Sequence, residues 1–320
     1  MKTLEAPGLR EIEAARERIR DVAIRTPLLR LNVDDAPAEI WIKCENLQPI
    51  GSFKVRGSGN AMRLAPPAAL HRGVYTASAG NMAQGVAWNA RKLGVPCSVV
   101  VPDHAPRAKL DAIERLGGRV LRVPFDEWWR VMVEHRHPAM DGLFIHPVSD
   151  FDVMAGNGTI ALEILEELPD VDAILVPYGG GGLSSGIAAA VRAVKPRVGV
   201  FGCEVKTAAP LAASLAAGAP RGVDYTPSFV DGIGAKGVLD EMWPIVSRLL
   251  DGALVVDLPE VAAAIRLMAE RNRVVAEGAG AVPVAAALAG KAGGGTIACV
   301  VSGGNIDAAK LATILTGGVP

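Results

Sequence analysis

Short apolar runs recur along the chain, separated by longer stretches with a helical period. CSVVVP (97–102), RVLRVP (119–124), AILVPY (173–178), VGVFGC (198–203), ALVVDL (253–258) and TIACVVS (296–302) are apolar almost throughout. Such runs read as strands buried on both faces. RAKLDAIERLGG (107–118), GTIALEILEELPD (158–170) and PEVAAAIRLMAERN (259–272) repeat apolar residues every three or four positions and read as helices. Strands alternating with helices predict βαβ units, hence an α/β fold with mostly parallel sheets and helices on both faces. Sheets of this kind bind ligands beyond the carboxyl ends of their strands. The residues that follow each run are therefore where chemistry is expected.

AILVPY is followed by GGGGLSSGIAAAVRAV, with Gly179, Gly180, Gly181 and Gly182 in a row before a helical stretch. Glycine lets backbone approach a ligand, and a helix start offers unpaired N–H groups at the positive end of its dipole. The pattern reads as a phosphate cup. No Gly-Lys-Ser/Thr follows, so it is not a nucleoside-triphosphate loop. A dinucleotide fingerprint is missing too, because the glycine spacing differs and only Glu204 is placed to hold a ribose. A phosphate without a nucleotide points to a phosphorylated cofactor.

Three other segments stand at comparable junctions. VVSGGNID (300–307) puts Ser302 where a strand stops, with Gly303 and Gly304 turning and Asn305 or Asp307 capping a helix. Alone, it reads equally as a turn. YTASAGNMAQGVAWNARKLG (75–94) sets Ser78, Ala79, Gly80 and Asn81 before a helix whose N–H groups suit a carboxylate, or simply form an N-capped turn. GSFKVRG (51–57) encloses one lysine, Lys54. Locally it reads as a surface charge, a phosphate clamp or a covalent catalyst.

Composition narrows the function classes. The formal net charge is -1, the charged fraction is 21%, and no long run of one sign occurs. Nucleic-acid and membrane-surface partners are therefore not expected. The first residues, MKTLEAPGLREIEAARERIRD, are charged and amphipathic rather than an apolar leader. No stretch approaches the roughly 18 apolar residues of a spanning helix, so a cytoplasmic protein acting on a small molecule is expected. Cys44, Cys97, Cys203 and Cys299 are widely spaced in apolar runs and read as buried thiols, not a zinc site or a disulfide framework. His135 and His137 are two apart and do not share a helix face.

Taken together, SFKVRG, SAGN, GGGGL, EGAGA (277–281) and SGGN resemble, in order and spacing, the pyridoxal-phosphate-dependent serine/threonine dehydratases of the tryptophan-synthase-β-like fold. RTPLLRL (25–31), VMAGNGTIALEIL (153–165) and DGIGAKG (231–237) are similar to further segments of that family. The resemblance spans nearly the whole chain and is strongest to the short catabolic threonine dehydratases. It implies a two-domain fold type II enzyme: residues 1–72 plus 150–320 as a large cofactor-binding domain, residues 73–149 as a small inserted domain, and a homodimer. It implies that Lys54 holds pyridoxal 5'-phosphate as a Schiff base and takes the Cα proton, with Phe53 against the ring. By the same resemblance Gly179, Gly180, Gly181, Gly182 and Leu183 bind the phosphate, Asn81 the ring hydroxyl and Ser302 the pyridine nitrogen. Ser78, Ala79, Gly80 and Asn81 bind the substrate carboxylate, and Gly232 and Glu277 lie near the ring. The implied reaction eliminates water from a β-hydroxy amino acid such as L-threonine or L-serine, giving a 2-keto acid and ammonia.

Three departures from the family pattern sharpen this. Ala79 stands where racemases carry a serine, so two-base racemisation lacks its second proton carrier. Met82 stands where histidine is frequent; it either packs under the loop or reshapes the pocket for a bulkier β-substituent such as phenylserine. Glu204 and Ala208 fit a divalent-cation site found in many relatives, but Pro210 replaces its aspartate, which weakens that expectation. Dehydration of 3-hydroxyaspartate, serine racemisation, β-replacement and a catalytically silent binding protein remain as alternatives. The sequence ends shortly after SGGNIDAAKLATIL, so feedback through an appended regulatory domain is not expected.

Overall fold

The structure, a computed structural model, describes residues 4–320. Ten strands build two sheets: β1 (Leu28–Arg30), β2 (Glu39–Lys43), β3 (Val74–Ala77), β4 (Cys97–Pro102), β5 (Arg119–Val123), β6 (Leu143–Phe144), β7 (Ala173–Pro177), β8 (Gly199–Val205), β9 (Gly252–Val256) and β10 (Thr296–Val300). The six-stranded sheet runs β1-β2-β10-β7-β8-β9 and the four-stranded sheet β5-β4-β3-β6. Among the described residues only the β1–β2 strand pair is antiparallel. All six apolar runs are strands. The helix expected from residue 158 starts earlier, as Phe151–Glu167, because Asp150 Oδ1 accepts from the amides of Asp152 and Val153 and caps it there. The stretch 259–272 is a helix only over Leu258–Leu267; Met268–Asn272 continues it as a π-helical turn.

The strands of the six-stranded sheet are apolar throughout because both faces are covered. Along β7, Ile174 and Val176 enter one apolar cluster with Ile187 and Val200, while Leu175 enters another with Ile42, Cys203 and Val282. Alternate residues of β10 divide the same way: Ala298 and Val300 against Ile297 and Cys299. The four-stranded sheet has its own cores, one holding Met82, Val86, Cys97 and Val99, the other Tyr75, Ala77, Val100 and Trp128. The four cysteines are free and buried; burial pushes the Cys44 and Cys97 thiols up to about 12.

Two features fix the elements that carry the site. The helix Lys54–Leu64 is anchored by a fully buried ion network. Arg56 Nε and Nη2 lie 2.8 Å from the two Glu45 oxygens, and its Nη1 lies 2.6 Å from Glu163 on the helix Phe151–Glu167. Lys43 of β2 joins through Glu163 at 2.7 Å. Further on, the helices Phe151–Glu167 and Gly182–Val194 cross in backbone contact: a Cβ on Gly158 would meet the Gly186 carbonyl at 2.7 Å, and one on Gly186 would overlap the Met154 carbonyl. Among the described residues no helix is long and apolar enough to cross a membrane.

Candidate active site

A cavity of about 450 Å³ opens where the carboxyl ends of both sheets face each other. The four-stranded sheet contributes the turns after β3 (Ser78–Met82), β4 (Pro102–Pro106) and β6 (Pro147, Val148). The six-stranded sheet contributes the turns after β7 (Gly179–Leu183) and β10 (Ser302). Every residue singled out in the sequence for cofactor or substrate lines this one cavity: Phe53, Lys54, Ser78, Ala79, Gly80, Asn81, Gly179, Gly180, Gly181, Gly182, Leu183, Gly232, Glu277 and Ser302.

Lys54 is the first residue of its helix. The segment before it is laced to the turn after β10. The Phe53 amide donates to the Ser302 carbonyl at 3.0 Å, and the Gly304 amide to the Gly51 carbonyl at 2.9 Å. This seam places GSFK beside SGGN. Lys54 Nζ donates to the Pro147 carbonyl at 2.8 Å and lies 5.1 Å from the centroid of the Phe53 ring. Burial lowers its pKa to about 8, against a smaller upward pull from Glu277. Burial disfavours the ammonium, so a neutral, nucleophilic amine is populated near neutral pH.

The turn that follows Pro147 is held by His146. Its Nδ1 accepts from the amides of Val148 (3.1 Å) and Ser149 (2.7 Å), which leaves the proton on Nε2, 3.1 Å from the Met132 carbonyl. Burial, reinforced by His135, drops the His146 pKa to about 3, so the ring stays neutral. The same turn abuts the glycine loop. A Cβ at Gly180 would meet the Val148 side chain at 2.6 Å, and one at Gly182 the Val148 carbonyl at 2.6 Å. Gly181 has φ 98°, a left-handed conformation that a side chain resists.

Asn81 Nδ2 donates to Glu277 Oε1 at 2.8 Å, and Asn81 Oδ1 accepts from Asn305 Nδ2 at 2.8 Å. Burial raises the Glu277 carboxyl to about 7. Met82 belongs to the apolar core of the four-stranded sheet, is 1% exposed, and also lines the cavity. Glu204 is occupied differently from the cation expectation. Its oxygens accept from the amides of Leu211 (2.8 Å) and Ala212 (2.9 Å), and so hold the start of the helix Pro210–Ala217. Among the described residues no group of three or more His, Cys, Asp or Glu is arranged to hold a metal.

The sequence model of the pyridoxal-phosphate dependent enzyme family matches residues 19–303. The chain belongs to that family. Among similar proteins, an L-threonine ammonia-lyase of Geobacter sulfurreducens is 42% identical over 96% of this chain and 78% of its own. The processed form of threonine deaminase isoform 2 from Solanum lycopersicum superposes with a TM-score of 0.88, at 32% identity over 99% of this chain and 91% of that one. Maize serine racemase superposes with a TM-score of 0.86, at 32% identity over 98% of both chains.

Enzymes of the pyridoxal-phosphate family need an amine, an anion cradle and room for a flat ring, and this cavity offers all three. The amine is Lys54. The glycine loop suits an anion: it carries no charged side chain and leads into the 13-residue helix Gly182–Val194, whose first N–H groups lack intrahelical partners. The residues present therefore fit the cofactor. Other wall residues carry no local motif. Pro147 is brought to Lys54 only by the fold. Phe125, Trp128 and Tyr225 line the outer cavity, and Lys109 Nζ pairs with Asp231 Oδ2 at 2.9 Å across it. The available signal was PFDEWW (124–129) directly after an apolar run, in a chain with only 4% aromatics.

Proposed function

We propose that this protein is a pyridoxal-phosphate-dependent ammonia-lyase that removes water from a β-hydroxy amino acid, of the L-threonine and L-serine type, to give a 2-keto acid and ammonia. The observation that carries this reading is the buried amine Lys54 Nζ, depressed to about pKa 8, in a cavity it shares with the glycine loop. When bound, the cofactor supplies an electron-withdrawing ring that spreads the negative charge left at Cα. Lys54 anchors it covalently through Nζ and Gly179–Leu183 hold its phosphate. Ser302 would offer the ring nitrogen a neutral hydroxyl, Phe53, Gly232 and Glu277 would flank the ring, and Asn81 would hold the ring hydroxyl.

In this reading the substrate carboxylate binds at Ser78–Asn81, where the helix Asn81–Leu93 presents its N-terminal amides. Lys54, once free, takes the Cα proton. Ala79 brings no hydroxyl to the loop, so Lys54 is the only Cα base and elimination outruns racemisation. Residues 73–149 act as a small domain that closes on the remainder of the chain over bound substrate. The working form is a cytoplasmic homodimer.

Kinetics and borohydride trapping test this together. Purified protein should be yellow, reduction should fix pyridoxal on Lys54, and L-threonine should give 2-oxobutanoate. Lys54→Ala should keep its fold by circular dichroism and lose at least about 10³-fold in turnover. Near-normal keto acid from that variant would end the reading, and colourless wild-type protein would favour a silent binder. D-amino acid exceeding keto acid would favour a racemase.

A further inference from the structure

Outside the reacting end, the cavity has a wall that dehydration itself does not use. Phe125 and Trp128 stand at the start of the helix Phe125–Glu134, directly after β5, and Tyr225 faces the cavity from the loop beyond the helix Pro210–Ala217. The Phe125 and Trp128 rings are 5.5 Å apart and tilted by 38°, and the His104 ring lies 6.1 Å from Phe125. Trp128 packs on the cluster of Tyr75, Ala77 and Val100, and Ala77 immediately precedes Ser78. The aromatic wall therefore begins beside the loop that would hold the substrate carboxylate. The whole chain has five tryptophans, three tyrosines and six phenylalanines; Phe53, Phe125, Trp128 and Tyr225 all line this cavity. Concentrating scarce aromatics in one concave site is what recognition of a flat apolar group requires.

Charge on the wall points the same way. Lys109 is already paired with Asp231 at 2.9 Å, and His104 Nδ1 lies 3.2 Å from Asp103 Oδ1. Asp231 and Glu277 add two carboxyl groups to the lining. A β-carboxylate on the substrate would meet a cation that has its own partner, together with like charge. A methyl group held at the end of β3 would leave β4 and β5 uncovered, since neighbouring strands lie about 4.8 Å apart.

We propose that Phe125, Trp128 and Tyr225 form the substituent pocket of this enzyme, and that its preferred substrates are β-hydroxy-α-amino acids with an aryl group on Cβ. The inference rests on the dehydratase reading. In the reaction, the Cα–H and Cβ–O bonds break and the hydroxyl leaves as water. The enamine released becomes an imine, and one water hydrolyses it to an arylpyruvate and ammonia. No oxidant or reductant is consumed.

Steady-state kinetics of the holoenzyme with threo-L-phenylserine and L-threonine, following phenylpyruvate and 2-oxobutanoate, test the pocket. Phenylserine should have the higher kcat/KM, by about tenfold or more, the scale set by burying a ring instead of a methyl. Trp128→Ala should lose about tenfold on phenylserine, mainly through KM, and far less on threonine. Phe125→Ala, at a residue 45% exposed, should repeat the pattern where folding is not at stake. Threonine preferred over phenylserine, or equal losses on both substrates in both variants, would overturn the pocket and leave the dehydratase reading standing. Preference for threo-3-hydroxyaspartate would overturn the charge argument. No keto acid from phenylserine, threonine or serine would overturn the dehydratase reading, and this inference with it.

Discussion

Burial and Glu277 together set the titration of Lys54. Burial holds Lys54 at about 8, below its ordinary 10.5, and the Glu277 carboxylate pulls it back up. Between those two pH values the unfolded chain keeps a proton that the folded chain has released. This group therefore adds stability as pH rises from about 8 to 10.5 and withholds it below about 8. Reactivity follows the same sign, because only the neutral amine attacks an aldehyde. Uptake of pyridoxal phosphate by cofactor-free protein, followed by absorbance, should accelerate through about pH 8 and level off above it. Glu277→Gln removes the charge and keeps an oxygen for Asn81 Nδ2. It should move that inflection to lower pH, while an unmoved or raised inflection would mean the two groups are uncoupled.

The elements that carry the site are located by close backbone packing and buried charge. Arg56 satisfies two buried carboxylates at once. Arg56→Met leaves Glu45 without a cation inside the protein, at a cost of about 3–5 kcal/mol, so its urea midpoint should fall well below that of wild type with little change in slope. Gly186→Ala forces a methyl group into the Met154 carbonyl. The helix Gly182–Val194 must then back away and carry the glycine loop with it. Cofactor affinity should drop about tenfold or more, read by equilibrium titration, with a smaller loss in stability. The same elements explain what could be read in advance. The six strands found in the sequence are buried on both faces, so composition alone marks them. β1 and β6 have three and two residues, too short for a pattern, and β2 carries the buried Lys43 that breaks its apolar run. The helix Lys54–Leu64 was equally hidden, because its glycines and buried Arg56 and Asn60 resemble a loop.

Across the whole molecule, the cavity is a seam between two sheets. The legible parts of the site were turns whose glycines and small residues do their work locally. Pro147, Phe125, Trp128 and Tyr225 line the cavity only when the second sheet faces the first, and no local spacing records that. The same division separates the four thiols. Cys97 sits in the core of the four-stranded sheet, while Cys44, Cys203 and Cys299 sit in the core of the six-stranded sheet. With pKa values pushed far above neutrality and the thiols buried, none should react readily with an alkylating dye in the native enzyme over minutes. Denaturant should expose Cys97 first, because its core is the smaller, and mass spectrometry of the labelled peptides would read the order. Simultaneous labelling of all four would show that the halves open as one cooperative unit. The chain thus carries its own unfolding reporters, one thiol in the core of the four-stranded sheet and three in that of the six-stranded sheet, with no probe engineered in.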